Sequence, residues 1–368
     1  MADAEKETNV ITCNSCLFDD GGKRARLKLE PRFSMDPISP RDRRLRTAKI
    51  LLITLRSLGA EVAKNLVLAG IGSLTIIDNA TVREEDVGAQ FFLSEDHINQ
   101  NRAEAAAPQI RQMNPRVQVA VEAVNIRSKQ PAFFASYDVT IATDLDYDTL
   151  CWINNSCRVA NRRFYAAGIH GFYGYIFSDQ LSHDFVIERE KSNVASSTIE
   201  TPTRTILDVK TKRENDKVIE MITKREVYCP LILSNTSSLP QEFTKVRRKR
   251  LQVTPLLTCL RALWEFQREM NGSLPTRDDL ETFIRLANDR HLELRLDIST
   301  LTAEFIRSFL DNLGSELSPV AAFLGGAVAQ DVINVLGARE QPLQNLLLFD
   351  GERSVAPIYS LHPIFPEE

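Results

Sequence analysis

Excess charge of either sign is missing from this chain. Over 368 residues the net charge is −4, which excludes bulk electrostatic attraction to nucleic acid as its mode of action. On reading, no apolar run approaches the roughly 20 residues that a membrane span needs. The opening MADAEKETNV has neither the basic start nor the apolar stretch of a secretory leader, so export is not expected. Without export, the six cysteines are expected to be free thiols rather than a disulfide framework. Cys13 and Cys16, in CNSC, have metal-ligand spacing but lack a second pair or a His pair at finger spacing, so no closed zinc site is expected. The most informative shortage is local. Leu51–Asp78, LLITLRSLGAEVAKNLVLAGIGSLTIID, reads as strand, turn, helix and strand, the opening unit of a nucleotide-binding fold. Its turn, Leu55-Arg56-Ser57-Leu58-Gly59, should be rich in glycine and holds one.

What is present is ordinary for a globular protein with a full core: 43% hydrophobic and 26% charged residues, enough for two or three structural units. Residues 1–40 show little apolar periodicity and three prolines (Pro31, Pro37, Pro40), and read as a flexible tail. From Lys49 the pattern changes. KILLIT is a buried-strand run; GAEVAKNLVLAG has helical spacing and a glycine stop at Gly70; SLTIID is the next strand. NRAEAAAPQIRQMN predicts a helix with an internal proline, VQVAVEAV and YDVTIAT predict strands, TLCWINNSCRVANR a helix, and RFYAAGIHGFYGYIFSD a pair of strands. Strands alternating with helices predict an α/β, doubly wound parallel sheet.

Near residue 190 the pattern changes again. EKSNVASSTIETPT reads as a polar linker, and RTILDVKTKREN with DKVIEMITKREVYCPL as a hairpin. LLTCLRALWEFQREMNG, TRDDLETFIRLAND and TAEFIRSFLDN predict helices, ELSPVAAFLGGAVAQDVINVLG a mostly apolar helix, and NLLLFDGERSVAPIYS a closing hairpin. The expected division is a tail (1–40), the first part of the doubly wound domain (41–180), an inserted smaller α/β unit (181–315) and a return to the first domain (316–368).

Glycines in such a turn let backbone N–H groups approach phosphate, aided by the helix dipole. Only Gly59 of that series remains, while Asp78 stands where a ribose-binding acid would. The stretch after it, NATVREEDVGAQFFLSEDHINQNRAEAA, makes the pattern specific. It resembles the Rossmann-like, ThiF-type adenylation fold of the activating enzymes for ubiquitin-like proteins, shared with bacterial thiamine and molybdenum-cofactor adenylating enzymes. Competent members read GxGGxGxE, then D, then NLNRQFLF, then a lysine in the next helix. Here the glycines are mostly lost, Gly88-Ala89 stand before Gln90 in place of the Asn-Arg pair, and Asn101-Arg102-Ala103-Glu104 stand where the lysine is expected. The resemblance therefore implies an inactive half-site, with Gly59, Asp78, Gln90 and Arg102 as its degenerate cofactor-binding positions.

Matches in order from about residue 41 to about 355 (SLGAEVAKNLVLAG, GAQFF, NRAEAA, FYAAGIHGFYGYIFSD, VYCPL, SPVAAFLGGAVAQDVINVLG) resemble the small, non-cysteine subunits of SUMO-activating enzymes. The resemblance implies a regulatory half that pairs with a large catalytic-cysteine subunit. ATP and magnesium would be held mainly by that partner, SUMO would be adenylated and passed to the partner's cysteine, and a conjugating enzyme would receive it. It also implies a mainly nuclear pool, extending to the cytoplasm. The alternatives are a NEDD8-activating regulatory subunit, disfavoured by the short insertion, and a self-sufficient nucleotide-binding Rossmann enzyme, disfavoured by the missing glycines.

The family supplies an arginine in trans from a YDRQIRLWG-like segment, an always-charged fork suited to phosphate. That segment is absent; ungapped counting puts the arginine at Arg32, a weak candidate, with Arg24, Arg26 and Arg44 as alternatives. No cysteine has the cationic or helix-start setting of a thioester nucleophile: Cys151, Cys157 and Cys259 sit at helical apolar spacing, and Cys229 precedes proline. His170 is expected at a strand end, bonded to backbone. Gly325 and Gly326 allow close helix packing, either in the core or at a subunit interface, and Arg247–Arg250, RRKR, is either a solvated face or an import signal.

Overall fold

The computed structural model describes residues 17–18, 24–25, 40–191, 198–214 and 217–363. Arg32, Cys13, Cys16 and most of the expected tail lie outside them. Strands β1 (Leu17–Phe18) and β2 (Arg24–Ala25) pair antiparallel. Helix α1 (Pro40–Thr47) then leads into β3 (Lys49–Ile53), α2 (Ser57–Ala69) and β4 (Ser73–Ile77). Gly70 ends α2 in the left-handed region at φ +79°, where its N–H reaches the last-turn carbonyls.

The chain continues through α3 (Glu84–Ala89), α4 (Arg102–Met113), β5 (Gln118–Glu122), β6 (Val139–Thr143) and α5 (Tyr147–Val159). Asn101 and Asp146 cap α4 and α5 with their side chains. Then come β7 (Arg163–His170), β8 (Tyr173–Asp179), β9 (Ser182–Glu190), β10 (Ile199–Thr201), β11 (Arg204–Glu214) and β12 (Lys217–Val227). Helices α6 (Leu231–Thr236), α7 (Gln241–Lys245), α8 (Arg247–Arg250), α9 (Pro255–Glu269), α10 (Leu280–Glu293) and α11 (Ala303–Asn312) follow. Helix α12 (Ser318–Gly337), β13 (Leu346–Asp350) and β14 (Ile358–Tyr359) complete the chain.

The main sheet has eight strands in the order β14-β13-β8-β7-β6-β3-β4-β5. From β5 to β7 all pairs are parallel; β8, β13 and β14 extend the sheet antiparallel. The strand order reverses at β3, between β4 and β6, and the crevice beyond those strand ends is where α/β folds place ligands. Alternation along β3 splits the core. Ile50 and Leu52 pack with α2, α4 and α12 on one face. Leu51 and Ile53 join a second cluster with α5 and α9–α11 on the other.

Two expectations change. The segment read as a linker contains β10, which with β9, β11 and β12 forms a four-stranded antiparallel sheet. Ladder hydrogen bonds recruit this short polar segment, so its composition gave no strand signal. By length and composition α12 also reaches the membrane-span limit, contrary to the reading that no run does. Most of it is buried inside the protein, and its one acid, Asp331, accepts the Tyr165 hydroxyl at 2.7 Å and the Leu343 N–H at 2.8 Å. It is the helix that covers the sheet through Val320, Leu324, Val328 and Val332.

Candidate functional site

At the end of β3 the chain turns at Thr54, in the left-handed region at φ 72°, and enters α2 at Ser57. Gly59 is needed there for packing. A Cβ on it would collide with the Thr54 carbonyl and crowd the Thr143 hydroxyl. The glycine thus survives as the contact between helix and strand turn, the third role of the fold's glycine series.

The other degenerate positions come together around the same turn. One oxygen of Asp78, at the end of β4, accepts the Leu55 N–H at 2.8 Å and Arg102 Nε at 2.8 Å; the other accepts the Ala80 N–H at 2.9 Å. Arg102 opens α4 and donates its Nη1 to Asp86 at 3.0 Å. Asp86 in turn accepts the Arg83 N–H at 2.9 Å, closing the start of α3. All three charged side chains are buried. Burial alone would lower the Arg102 pKa, but the Asp78 and Asp86 charges and hydrogen bonds raise it. Gln90 lies over the turn and donates to the Leu55 carbonyl at 3.1 Å. Asp78 therefore does not wait for a ribose: Arg102 and two backbone amides hold both of its oxygens.

The start of α2 is filled as well. Glu316, in the loop before α12, pairs with Arg56 Nε at 2.6 Å and accepts the Ser57 N–H at 3.4 Å. Arg56 also donates to the Gly314 carbonyl at 3.3 Å. The carboxylate sits where the dipole and the free amides of a helix start attract an anion. Beside it lies Asp144, whose Oδ1 accepts the Ile169 N–H at 3.0 Å and whose Oδ2 is buried with no partner. Burial first, then the Glu316 charge, against the pull of Arg56, pushes its pKa up to about 7. His170 stands at the end of β7 with the Gly314 N–H 3.5 Å from its Nδ1. Burial, helped by Arg56, holds it down to about 4, so it is neutral at neutral pH.

Beyond the ends of β3 and β4 a cleft of about 460 Å³ remains, lined by Thr54, Asp78, Arg127, Asp146 and Asp148 among others. Its lining offers a polyphosphate one cation, Arg127, and that arginine already faces Asp146, with Asp148 beside it and Asp78 held by Arg102. Asp78 and Glu316 already take two of the turn's amides, those of Leu55 and Ser57. The residues present thus do not fit an ATP triphosphate, and no step through ATP is assigned to them. Among the described residues, no group of three or more His, Cys, Asp or Glu side chains is placed to hold a metal ion. The described cysteines are poor nucleophiles. Burial pushes Cys151 up to about 11 and Cys157 and Cys229 up to about 12, and Cys259 is raised by burial alone.

Sequence reading missed Asp86, Asp144 and Glu316. Asp144 lies in the acidic stretch DLDYD, which matches no motif, and Glu316 is 259 residues from the amide it meets, with no local pattern to mark it.

Residues 33–362 match the model of the ThiF family. Human SUMO-activating enzyme subunit 1 is 31% identical over 325 residues, covering 87% of this chain and 91% of that protein. Its Xenopus laevis counterpart is 32% identical over 318 residues, covering 85% and 89%. The DNA damage tolerance protein RHC31 of Saccharomyces cerevisiae is 33% identical over 323 residues, covering 86% and 91%. With a family match spanning nearly all of the described sheet and relatives aligned over most of their own length, this chain belongs to the ThiF family.

Proposed function

We propose that this chain is the regulatory, non-cysteine subunit of a heterodimeric SUMO-activating enzyme. It completes the assembly, while the large partner subunit holds ATP and magnesium, adenylates the SUMO C-terminus and carries the acyl group on its cysteine for delivery to the conjugating enzyme. Relatives named SUMO-activating enzyme subunit 1, matched over most of their length, favour this reading over a NEDD8-activating subunit. The single observation that carries the non-catalytic part is the double plug: Glu316 on the α2 start and Arg102 on Asp78. The high thiol pKa values support placing the thioester on the partner. The exposed run Arg247-Arg248-Lys249, continuing into the half-buried Arg250, supports import into the nucleus.

The open side of α12 supports a role in pairing. Gly325 is used internally, since a Cβ there would strike the Glu61 side chain of α2, whereas a Cβ on Gly326 would meet nothing within 4 Å. Gly326 thus presents a bare stretch of helix to a second backbone. The test is co-expression with the large subunit followed by SUMO-dependent ATP–pyrophosphate exchange. Exchange is expected from the co-purified pair and from neither chain alone. Failure of the two chains to co-purify, or exchange by this chain alone, contradicts the proposal.

A further inference from the structure

At the end of the sheet opposite the crevice, a second cleft of about 460 Å³ opens between α1, the starts of β7 and β9, and the end of α12. Its charges do not balance locally. Asp138 is engaged by the Lys49 N–H at 2.9 Å and Arg162 at 3.3 Å. Asp184 takes Arg225 in a two-pronged pair at 2.7 and 2.8 Å. The guanidinium groups of the remaining cations, Arg44 and Arg163, make no hydrogen bond or ion pair among the described residues. The end of α12 does not use them either: its Asn334 and Val335 carbonyls take the Arg339 and Ala338 N–H groups, and the Ala338 carbonyl takes the Val186 N–H. Between them stands His183, only 3% exposed, whose Nε2 is buried with no partner. Unpaired buried polar groups cost free energy, and clustered like charges add to it. Burial and then Arg163 hold the His183 pKa down to about 4 against the pull of Asp184, and burial lowers that of Arg163, with Tyr165 and Asp138 opposing and Arg162 and Arg44 adding to it.

The geometry points to a binding site for a phosphate monoester or free phosphate dianion, gripped by Arg163, Arg44 and His183 Nε2. Two guanidinium forks and one ring N–H match an anion with three outward oxygens. Val335, Leu336 and Ala338 form an apolar wall beside the Asp138 and Asp184 carboxylates, which Arg162 and Arg225 already engage, and the cleft is larger than phosphate alone and leaves room for a small esterified group. The site is independent of the plugged crevice and does not require the chain to act on SUMO.

The test is a titration of the full-length chain with inorganic phosphate and, in parallel, glycerol 3-phosphate, followed by the His183 ring signals in NMR and by calorimetry. Saturable binding is expected, with the His183 pKa rising as the dianion binds beside it. Tighter binding of glycerol 3-phosphate indicates an esterified ligand, and tighter binding of phosphate a free one. Arg163→Ala is expected to weaken affinity about tenfold or more, with Arg163→Lys retaining part of it. Should Arg163→Ala fail to fold, Arg44→Ala, on exposed α1, is expected to weaken binding in the same direction. Absence of saturable binding, or binding that leaves His183 unmoved and is unaffected by both alanine variants, overturns the site.

Discussion

A carboxylate at a helix start gains about 0.3–1 kcal/mol from the dipole, more where it is partly buried. Glu316 takes that gain on α2 and neutralises Arg56 at the same time. The cost falls on Asp144, left with one unpartnered oxygen beside a second negative charge. Its pKa of about 7 in the fold lies above the ordinary 3.8, so the folded chain holds this proton more tightly than the unfolded one. The resulting stabilisation is present below pH 4 and is lost as pH rises through 7. Asp331, raised to about 6, acts in the same direction. His170 and His183, lowered to about 4, act oppositely: their contribution is present above pH 6.5 and is lost as pH falls through 4. Because these opposing contributions overlap in the native chain, the difference between native and Asp144→Asn chains isolates Asp144. Denaturant unfolding is expected to show Asp144→Asn more stable at pH 8, on the order of 1–3 kcal/mol, and nearly equal at pH 4. Removing Arg102 strands two buried carboxylates, and Arg102→Ala is expected to cost about 3–5 kcal/mol in the same assay; a loss below about 1 kcal/mol means the Asp78–Arg102–Asp86 cluster does not hold the turn.

At the scale of elements, α2 is pinned from two sides by absent side chains. Gly59 admits the Thr54 carbonyl, and Gly325 admits Glu61 from α2 to α12. Gly59→Ala is expected to destabilise by about 1–3 kcal/mol, because the neighbour is backbone and cannot move aside as a flexible side chain would. Gly326→Ala is expected to leave the isolated fold intact and raise its thermal midpoint slightly, alanine favouring a helix by about 1 kcal/mol, while weakening co-purification with the large subunit. Most elements were legible from the sequence: β3–α2–β4 with its Gly70 stop, the α4 helix around Pro108, the β7–β8 pair and the β11–β12 hairpin. Each is a local pattern of period 2 or 3.6 with a punctuating residue. What was not legible is non-local. Strand β10 exists through its partner β11, and the apolar character of α12 reflects burial between α2 and the sheet. The site shows the same limit. The loss of glycines and the position of Asp78 could be read directly, but not that Arg102 and Glu316 close the gaps, because both contacts span loops that sequence periodicity does not encode.

At the scale of the whole molecule, the nucleotide-binding frame is intact, and two amides of its turn are met from within by Asp78 and Glu316. The eight-stranded sheet still reverses order at β3, the turn still aims amides outward, and protein carboxylates meet them. A chain built this way is expected to work as half of a pair, its own crevice serving as structure. The most direct measurement is a calorimetric titration of the isolated, full-length chain with magnesium-ATP, set beside the same titration of the co-purified pair. No saturable binding to the isolated chain is expected up to millimolar nucleotide, and clear binding to the pair is. Micromolar binding by the isolated chain, abolished by Asp78→Ala, would contradict that expectation.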